Sequence, residues 1–316
     1  MTFESFVSFV SFVVNTVTER IGFIGFGEAG FTIGHGLRGA GVEHLCAYDI
    51  ATHSSDRGPQ IQERARRSGA ALVDGSASLA ASSDVLFSTV TSASALDAAR
   101  QTAPFLRPGH IYADLNSVSP ERKREIAAVI GATGAAFVEA AVMAPVHGYG
   151  HRVPILLGGP AASLFAERME PFGMRVQVLP SSEIGTAAAV KMCRSIVVKG
   201  LEALLCECVL GAHEYGAADH VFASLQESYP GIDWKTLADY TIGRVVVHGA
   251  RRAREMEEVA ETLRAAGIDP IMAEATARRQ DWSAQLDLRS KFPPEGPKSY
   301  TEVVTYVSTI RSGALD

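Results

Sequence analysis

A glycine-rich run between an apolar strand and a helix constrains the fold of this chain more than any other feature. The run follows the apolar segment 20–25 and has GxGxxG spacing: Gly25-Phe26-Gly27-Glu28-Ala29-Gly30. In such a run the first glycine permits a tight turn, the second lets the backbone approach a pyrophosphate, and the third lets the helix pack against the strand. The helix start adds free N–H groups and the positive end of its dipole. We therefore predict that this run binds the diphosphate of a dinucleotide.

An acidic residue stands where such a site binds the adenine ribose. Asp49 ends the next apolar segment, 45–49, about 20 residues after the glycine run, the usual place for a carboxylate that accepts the ribose hydroxyls. A carboxylate repels a 2′-phosphate, so Asp49 favours NAD over NADP. Ser54, Ser55 and Arg57 follow closely and suit a phosphate, which leaves NADP as an alternative. A turn that binds no nucleotide, with Asp49 capping a loop, is the competing interpretation.

Strand-like and helical segments alternate through the first half of the chain. They predict a Rossmann fold of the α/β class, a doubly wound parallel sheet, over residues 20–182. Only helical patterns occur in residues 183–316, including separate helices at 233–247 and 249–266, so we predict an all-α second domain. Residues 1–19 are apolar but interrupted by serines, and they are too short to span a bilayer. We expect them to be an extension outside the fold.

Composition argues against several classes of function. The chain has 316 residues, a formal net charge of -6 and no long basic run, so no nucleic-acid partner is expected. Its length and 47% hydrophobic content suit two globular domains without membrane association. The cysteines form no paired CxxC motifs and the histidines are scattered, so we predict neither disulfides nor a metal site. Reduced thiols favour a cytoplasmic protein.

Small residues follow the fourth and fifth predicted strands. Val90 and Thr91 end the fourth strand, and Asn116-Ser117-Val118-Ser119 follows the fifth. Because a doubly wound sheet binds ligands at the carboxyl ends of its strands, we predict that Val90, Thr91 and Asn116 lie at the cofactor. The hydroxyl and amide groups suit a substrate carboxylate or hydroxyl beside the nicotinamide. Taken alone, these residues favour ordinary turn chemistry and capping of the next helix.

Lys191 is the other candidate for chemistry. It lies in the apolar stretch GTAAAVKMCRS, near the start of a long helical segment. A lysine in such surroundings either extends its ammonium group to solvent or is partly desolvated. Desolvation lowers the pKa of a lysine and suits it to proton transfer. The residues alone favour a surface lysine over a desolvated one.

Several motifs of the chain occur in a recognisable order. The segments GFIGFGEAG, DLNSVSP, FVEAAVMAP and GTAAAVKMCRS resemble, in that order, the β-hydroxyacid dehydrogenase superfamily. This superfamily includes 3-hydroxyisobutyrate dehydrogenases and is similar to 6-phosphogluconate dehydrogenases. The resemblance extends over nearly the whole chain from Arg20. The helical half, with KMCRSIVVKGLEAL and HGARRAREMEEVAETL, resembles a less-characterised branch.

The resemblance implies roles for several of these residues. Lys191 matches the catalytic acid/base of the superfamily. Ser117, Val118 and Ser119 match the loop that binds the substrate carboxylate or hydroxyls. With the nicotinamide beside Asn116 and Lys191, the lysine would take the hydroxyl proton while hydride leaves the carbon.

Two positions depart from the superfamily pattern. Ser195 stands where an asparagine usually follows the lysine by one helical turn, and Met143 begins MAP where the superfamily has a glycine-rich substrate loop. Both are expected to contact the substrate, whose identity these departures leave open. His147, His151 and Arg152 follow the loop and face either the cleft or solvent.

The resemblance implies an oxidoreductase that transfers hydride between NAD, or NADP, and the hydroxyl-bearing carbon of a small hydroxy acid, with or without decarboxylation. An imine reductase of the same architecture is an alternative, although such enzymes tend to replace the lysine. A dinucleotide-binding regulator without turnover is another. The long helix and apolar segments such as 245–247 also predict a homodimer formed by the helical half.

Overall fold

The computed structural model describes residues 18–180 and 183–313. Its first half is an alternation of strands and helices. These elements are β1 (Arg20–Ile24), α1 (Glu28–Gly39), β2 (His44–Tyr48), α2 (Gly58–Ser68), β3 (Ala71–Leu72), α3 (Ser76–Ala81), β4 (Val85–Ser88), α4 (Ala95–Thr102), β5 (Ile111–Asp114), α5 (Pro120–Gly131), β6 (Ala136–Val142), β7 (Ile155–Gly158), α6 (Ala162–Met169) and β8 (Val176–Val178).

The strands form one sheet in the order β3-β2-β1-β4-β5-β6-β7-β8. Strands β4 and β5 are buried along their whole length, because apolar cores that include Phe23 and Ile33 on one face and Leu86 and Ile126 on the other cover the sheet. From β1 the chain adds β2 and β3 on one side of the sheet, and it then crosses to add β4 and β5 on the other side. This change of side leaves a crevice at the carboxyl ends of β1 and β4. The predicted Rossmann architecture is confirmed.

Two strands depart from the parallel direction that we predicted, because β8 is parallel to β7 and both run opposite to the other six strands. Strand β7 runs antiparallel to β6, with Val142 opposite Ile155. The connection between them contains only a short 3-10 turn, Gly150–Arg152. A parallel pairing needs a longer crossover, usually a helix, whereas antiparallel strands need none. The sheet is therefore mostly parallel, and the predicted parallel direction fails only at β7 and β8.

In the described residues after 183, all regular structure is helical. The helices are α7 (Thr186–Glu214), α8 (Ala218–Ser228), α9 (Trp234–Ala265), α10 (Ile271–Gln285), α11 (Leu288–Lys291) and α12 (Tyr300–Arg311). The long helices α7 and α9 share a core with α12 that includes Leu205, Val245 and Val304. The predicted helical second half is confirmed.

Helix α9 is continuous where we predicted two helices. Gly249, at the predicted break, lies inside the helix. A Cβ on Gly249 would lie 2.5 Å from the carbonyl oxygen of Gln280 and 2.0 Å from Ser283 Oγ. The glycine therefore permits close packing against α10 and does not end the helix.

The described fold begins slightly earlier than predicted. Glu19 is buried, and its carboxylate accepts hydrogen bonds from Nε and Nη2 of Arg168 on α6. It is thus packed against the first domain. Residues 1–17 of the proposed extension lie outside the described residues. Among the described helices, none is long and apolar enough to cross a membrane.

Candidate active site

The glycine loop has the geometry that a dinucleotide requires. Gly25 has φ of +82°, and a Cβ there would lie 2.7 Å from Val90 Cγ1. A Cβ on Gly30 would lie 2.6 Å from both the Gly25 carbonyl oxygen and Thr89 Oγ1, whereas one on Gly27 would meet nothing within 4 Å. Gly27 is also the N-cap of α1 and has no side-chain cap. Open space thus adjoins the uncapped start of the helix, and helix starts of this kind can bind phosphate groups.

Asp49 connects this loop to β2. One carboxylate oxygen accepts the N–H of Phe26 at 2.7 Å, and the other accepts the N–H of Ala51 at 2.9 Å. A carboxylate has about four acceptor positions, so ribose hydroxyls can still bind. The Phe26 side chain lies in the core against Phe23 and its N–H is used by Asp49, so Phe26 shapes the loop from within. Glu28 and Ala29 form the first turn of α1.

A buried polar network lies under the carboxyl ends of β4 and β5. Asn116 Nδ2 donates to Asp114 Oδ1 at 2.6 Å and to Ser88 Oγ at 2.8 Å. Lys123 Nζ donates to the Asp114 carbonyl oxygen at 2.8 Å and lies 3.1 Å from Asp114 Oδ2. Asn116 Oδ1 is buried and has no hydrogen-bond partner among the described residues. It is therefore an acceptor available to a donor such as a carboxamide N–H.

The three residues after Asn116 have different environments. The Val118 side chain is 2% exposed and lies in the core that contains Ile126, so only its backbone is available to a ligand. Ser119 caps α5, its Oγ accepting the N–H of Arg122 at 3.3 Å. Ser117 is half-buried. The capping alternative thus describes Ser119, and substrate contact by these residues stays a prediction.

The other predicted cofactor residues border the loop. Val90 is half-buried against Gly25, and Thr91 is exposed, with its Oγ1 3.0 Å from Ser94 Oγ. Met143 is half-buried, and its N–H donates to the Pro154 carbonyl oxygen at 2.8 Å.

The polar residues beyond Met143 divide between solvent and interior. His147 and Arg152 are exposed. His151 is buried against the later part of α1, where a Cβ on Gly36 would lie 2.3 Å from His151 Nδ1. Burial lowers the pKa of His151, and its position away from the glycine loop indicates a packing role.

A fully buried carboxylate fixes the start of the helix that carries Lys191. Glu139 on β6 accepts the N–H of Gly185 at 2.7 Å and the N–H of Ala188 at 2.6 Å. These bonds satisfy amides at the N-terminus of α7, where a negative charge is also favoured by the helix dipole. A Cβ on Gly158 would lie 2.8 Å from Glu139 Oε2. Glu139 therefore links the sheet directly to α7.

Lys191 lies on the second turn of α7 and is half-buried. Desolvation lowers its pKa to about 8, opposed by Glu255 and reinforced by the cations Lys123, Lys199 and Arg251. Close to this pKa the amine exchanges protons readily at neutral to mildly alkaline pH. The desolvated alternative for Lys191 thus describes its position in the structure.

The hydroxyl of Ser195, one turn after Lys191, forms hydrogen bonds within the protein. Its Oγ donates to the Lys191 carbonyl oxygen at 2.9 Å and accepts from Lys199 Nζ at 3.1 Å. Lys199 Nζ also lies 3.0 Å from Glu255 Oε2 on α9, and Arg251 binds the other oxygen of Glu255. A hydroxyl has one hydrogen to donate, and that of Ser195 goes to the Lys191 carbonyl oxygen. Ser195 therefore has no hydrogen left to donate to a substrate.

Four charged residues of this region were not singled out from the sequence. Glu139 had a recognisable signal, because it is the only charged residue in an apolar strand. Lys123, Lys199 and Glu255 lie in helices rich in charged residues and have no such local signal. Within the described residues, no group of three or more His, Cys, Asp or Glu side chains is placed to hold a metal.

Comparison with known proteins relates both halves of the chain to described families. Residues 20–172 match the NAD binding domain of 6-phosphogluconate dehydrogenase. Residues 212–283 match a domain of unknown function, DUF1932.

Individual relatives agree with these matches. A conserved hypothetical protein from Sinorhizobium meliloti is 35% identical with a TM-score of 0.77, and the match covers 92% of this chain and 96% of that one. The protein MTH1747, of unknown function and described as similar in structure to 3-hydroxyacid dehydrogenases, is 34% identical with a TM-score of 0.70, covering 85% and 98%. The mitochondrial 3-hydroxyisobutyrate dehydrogenase of Drosophila melanogaster is 25% identical, covering 68% and 65%.

Proposed function

The chain belongs to the β-hydroxyacid dehydrogenase superfamily. We propose that it interconverts the hydroxyl-bearing carbon of a small hydroxy acid and the corresponding carbonyl carbon by hydride transfer. The match to an NAD binding domain and the similarity to a 3-hydroxyisobutyrate dehydrogenase support a dinucleotide-dependent oxidoreductase. A bound nicotinamide supplies the hydride acceptor or donor of such a reaction. The chain's own residues must bind the cofactor, orient the substrate and move one proton.

Lys191 carries the proposal. With a pKa of about 8, its amine is neutral in about one tenth of molecules at pH 7 and in about half of them at pH 8. In the direction of oxidation, neutral Lys191 accepts the proton of the substrate hydroxyl. In reduction, its ammonium form returns a proton to the developing alkoxide. Asn116, Ser117 and Ser119 at the end of β5 are the groups proposed to orient the cofactor and substrate.

NAD is the cofactor that the site favours. The glycine loop fits a diphosphate, and the unpaired Asn116 Oδ1 suits the carboxamide of a nicotinamide. The Asp49 carboxylate lies at the end of β2, bonded to the glycine loop, where its charge disfavours a 2′-phosphate.

The test follows NADH absorbance with a panel of hydroxy acids, supplying NAD⁺ and NADP⁺ separately. We expect turnover with hydroxy acids and a preference for NAD⁺. Replacing Lys191→Met should lower kcat about 10²–10⁴-fold, the usual contribution of acid/base catalysis, with NADH binding unchanged by calorimetry. Lys291→Met, at an exposed position, is the matched control and should retain activity. Unchanged turnover in Lys191→Met would remove this lysine from the mechanism.

A second panel, of cyclic imines with NADH or NADPH, separates the alternatives. Reduction of cyclic imines, with no reaction of hydroxy acids, would identify an imine reductase. Cofactor binding without any turnover would identify a regulator. Absence of binding to either nicotinamide cofactor would contradict the proposal as a whole.

A further inference from the structure

The side-chain amide of Asn116 is oriented by a group that can only accept hydrogen bonds. Asp114 Oδ1 accepts the backbone N–H of Asn116 at 3.0 Å and its side-chain Nδ2 at 2.6 Å. Because an ionised carboxylate has no hydrogen to donate, the amide must present its NH₂ group to Asp114 and not its oxygen. The second hydrogen of Nδ2 goes to Ser88 Oγ at 2.8 Å. Both hydrogens of the amide are thus used within the protein.

Lys123 holds this carboxylate from the other side. Its Nζ lies 3.1 Å from Asp114 Oδ2 and donates to the Asp114 carbonyl oxygen at 2.8 Å. Both side chains are buried, and a buried carboxylate is costly unless a cation and hydrogen bonds compensate its charge. Helix α5 supplies that cation, so the acceptor beside Asn116 is fixed in place between a strand and a helix.

The oxygen of the same amide has no partner. Asn116 is 4% exposed, and its Oδ1 is buried without a hydrogen-bond donor in the part of the chain that the structure describes. Leaving a buried acceptor unpaired costs free energy, and such atoms are rare in folded proteins. Asn116 directly follows the carboxyl end of β5, where sheets of this kind bind their ligands. The unpaired oxygen therefore indicates a ligand that brings an N–H donor.

We infer that Asp114, held by Lys123, is a positioning residue that fixes the Asn116 amide so that its oxygen selects a carboxamide over a carboxylate on the ligand. The inference rests on the proposed function, because the ligand is taken to be a nicotinamide dinucleotide. A carboxamide offers N–H donors to Asn116 Oδ1, whereas a carboxylate offers none and places negative oxygens against it. An amide that was free to turn would present Nδ2 to a carboxylate and accept both ligands. The fixed amide therefore excludes the nicotinic acid form of the dinucleotide.

The experiment compares two dinucleotides that differ in this one group. Calorimetry on the full-length protein measures the Kd of NAD⁺ and the Kd of nicotinic acid adenine dinucleotide, which has a carboxylate in place of the carboxamide. The nicotinic acid form should bind roughly 10–100-fold more weakly, because it leaves a buried acceptor unpaired. Equal binding of the two dinucleotides by the unchanged protein would overturn the inference.

Two variants test the orientation of the amide. Asp114→Asn combined with Lys123→Met removes both charges of the buried pair, so the net charge of the protein is unchanged. The amide at position 114 can donate as well as accept, so Asn116 is no longer held in one orientation and the ratio of the two Kd values should fall towards one. Asn116→Ala removes the selecting oxygen itself, and the ratio should fall there too.

The ratio separates orientation from a purely structural role. If the buried pair only stabilised the domain, its removal would weaken both dinucleotides equally and leave the ratio unchanged. Glu63→Gln with Arg66→Met removes an exposed ion pair of 2.7 Å on α2, and this matched control should keep both affinities. Circular dichroism checks the folding of every variant. An unchanged ratio in the folded double variant, or in Asn116→Ala, would overturn the inference.

Failure of the inference is distinguishable from failure of the proposed function. Equal binding of the two dinucleotides together with NAD-linked turnover would reject the role of Asp114 and keep the dehydrogenase. Selective binding of NAD⁺ that is lost in the variants, with no turnover of any hydroxy acid, would keep that role and reject the proposed reaction. Absence of binding to both dinucleotides would overturn both.

Discussion

At the scale of single residues, Glu139 shows how one buried charge determines the position of the site. Its two oxygens accept the N–H groups of Gly185 and Ala188, so strand β6 sets where α7 begins. Replacing Glu139→Ala would leave two buried N–H groups without partners. We expect the free energy of unfolding to fall by about 3 kcal/mol, since each bond to a charged acceptor contributes roughly 1.5 kcal/mol or more.

Urea denaturation measures this effect. Glu139→Gln retains one acceptor oxygen and should lose less stability than Glu139→Ala. Glu167→Ala, at an exposed position of α6, should change stability little. Equal stability of Glu139→Ala and Glu167→Ala would show that the two amides find other partners.

At the scale of elements, the contact between α9 and α10 depends on Gly249. Alanine normally stabilises a helix interior by roughly 1 kcal/mol relative to glycine, yet a Cβ here would lie 2.5 Å from the Gln280 carbonyl oxygen. Gly249→Ala should therefore lower the thermal midpoint, with a cost of roughly 1–3 kcal/mol from overpacking.

Gly243 offers a matched comparison in the same helix. A Cβ there would lie 3.9 Å from the Pro297 carbonyl oxygen, an ordinary contact, so Gly243→Ala should be neutral or raise the thermal midpoint. A stabilising effect of both substitutions would mean that α10 moves aside at little cost.

At the scale of the whole molecule, α7 leaves an apolar face uncovered. Val190, Val197 and Leu204 are 40%, 71% and 58% exposed, and their spacing of seven residues places them on one side of the helix. We propose that a second copy of the chain covers this face, forming the expected homodimer. Light scattering should give twice the mass of the chain, and Val197→Glu with Leu204→Glu should give the monomer.

The control for this prediction lies on the other half of the molecule. Leu164 on α6 is also exposed, at 47%, and Leu164→Glu should leave the mass unchanged. A monomer in the unchanged protein would contradict the proposed dimer.

Local sequence signals were sufficient for most of the elements and for the cofactor loop. The periodicity of strands and helices and the spacing of glycines are set by neighbouring residues. The glycine run, Asp49 and the helical second half could therefore be predicted from the order of residues along the chain. The direction of β7 and the continuity of α9 at Gly249 could not, because they depend on what lies beside each element.

The chemistry of Lys191 was decided by tertiary structure. Its position was visible in the sequence, but its lowered pKa comes from burial and from charges on α5, α7 and α9. The partners of Ser195 were likewise not visible in the sequence: its hydroxyl donates to the Lys191 carbonyl oxygen and accepts from Lys199, and its contact with a substrate stays a prediction. Desolvation and Coulomb energies depend on distances through space, so groups far apart in the chain determine them only after the two halves have packed together.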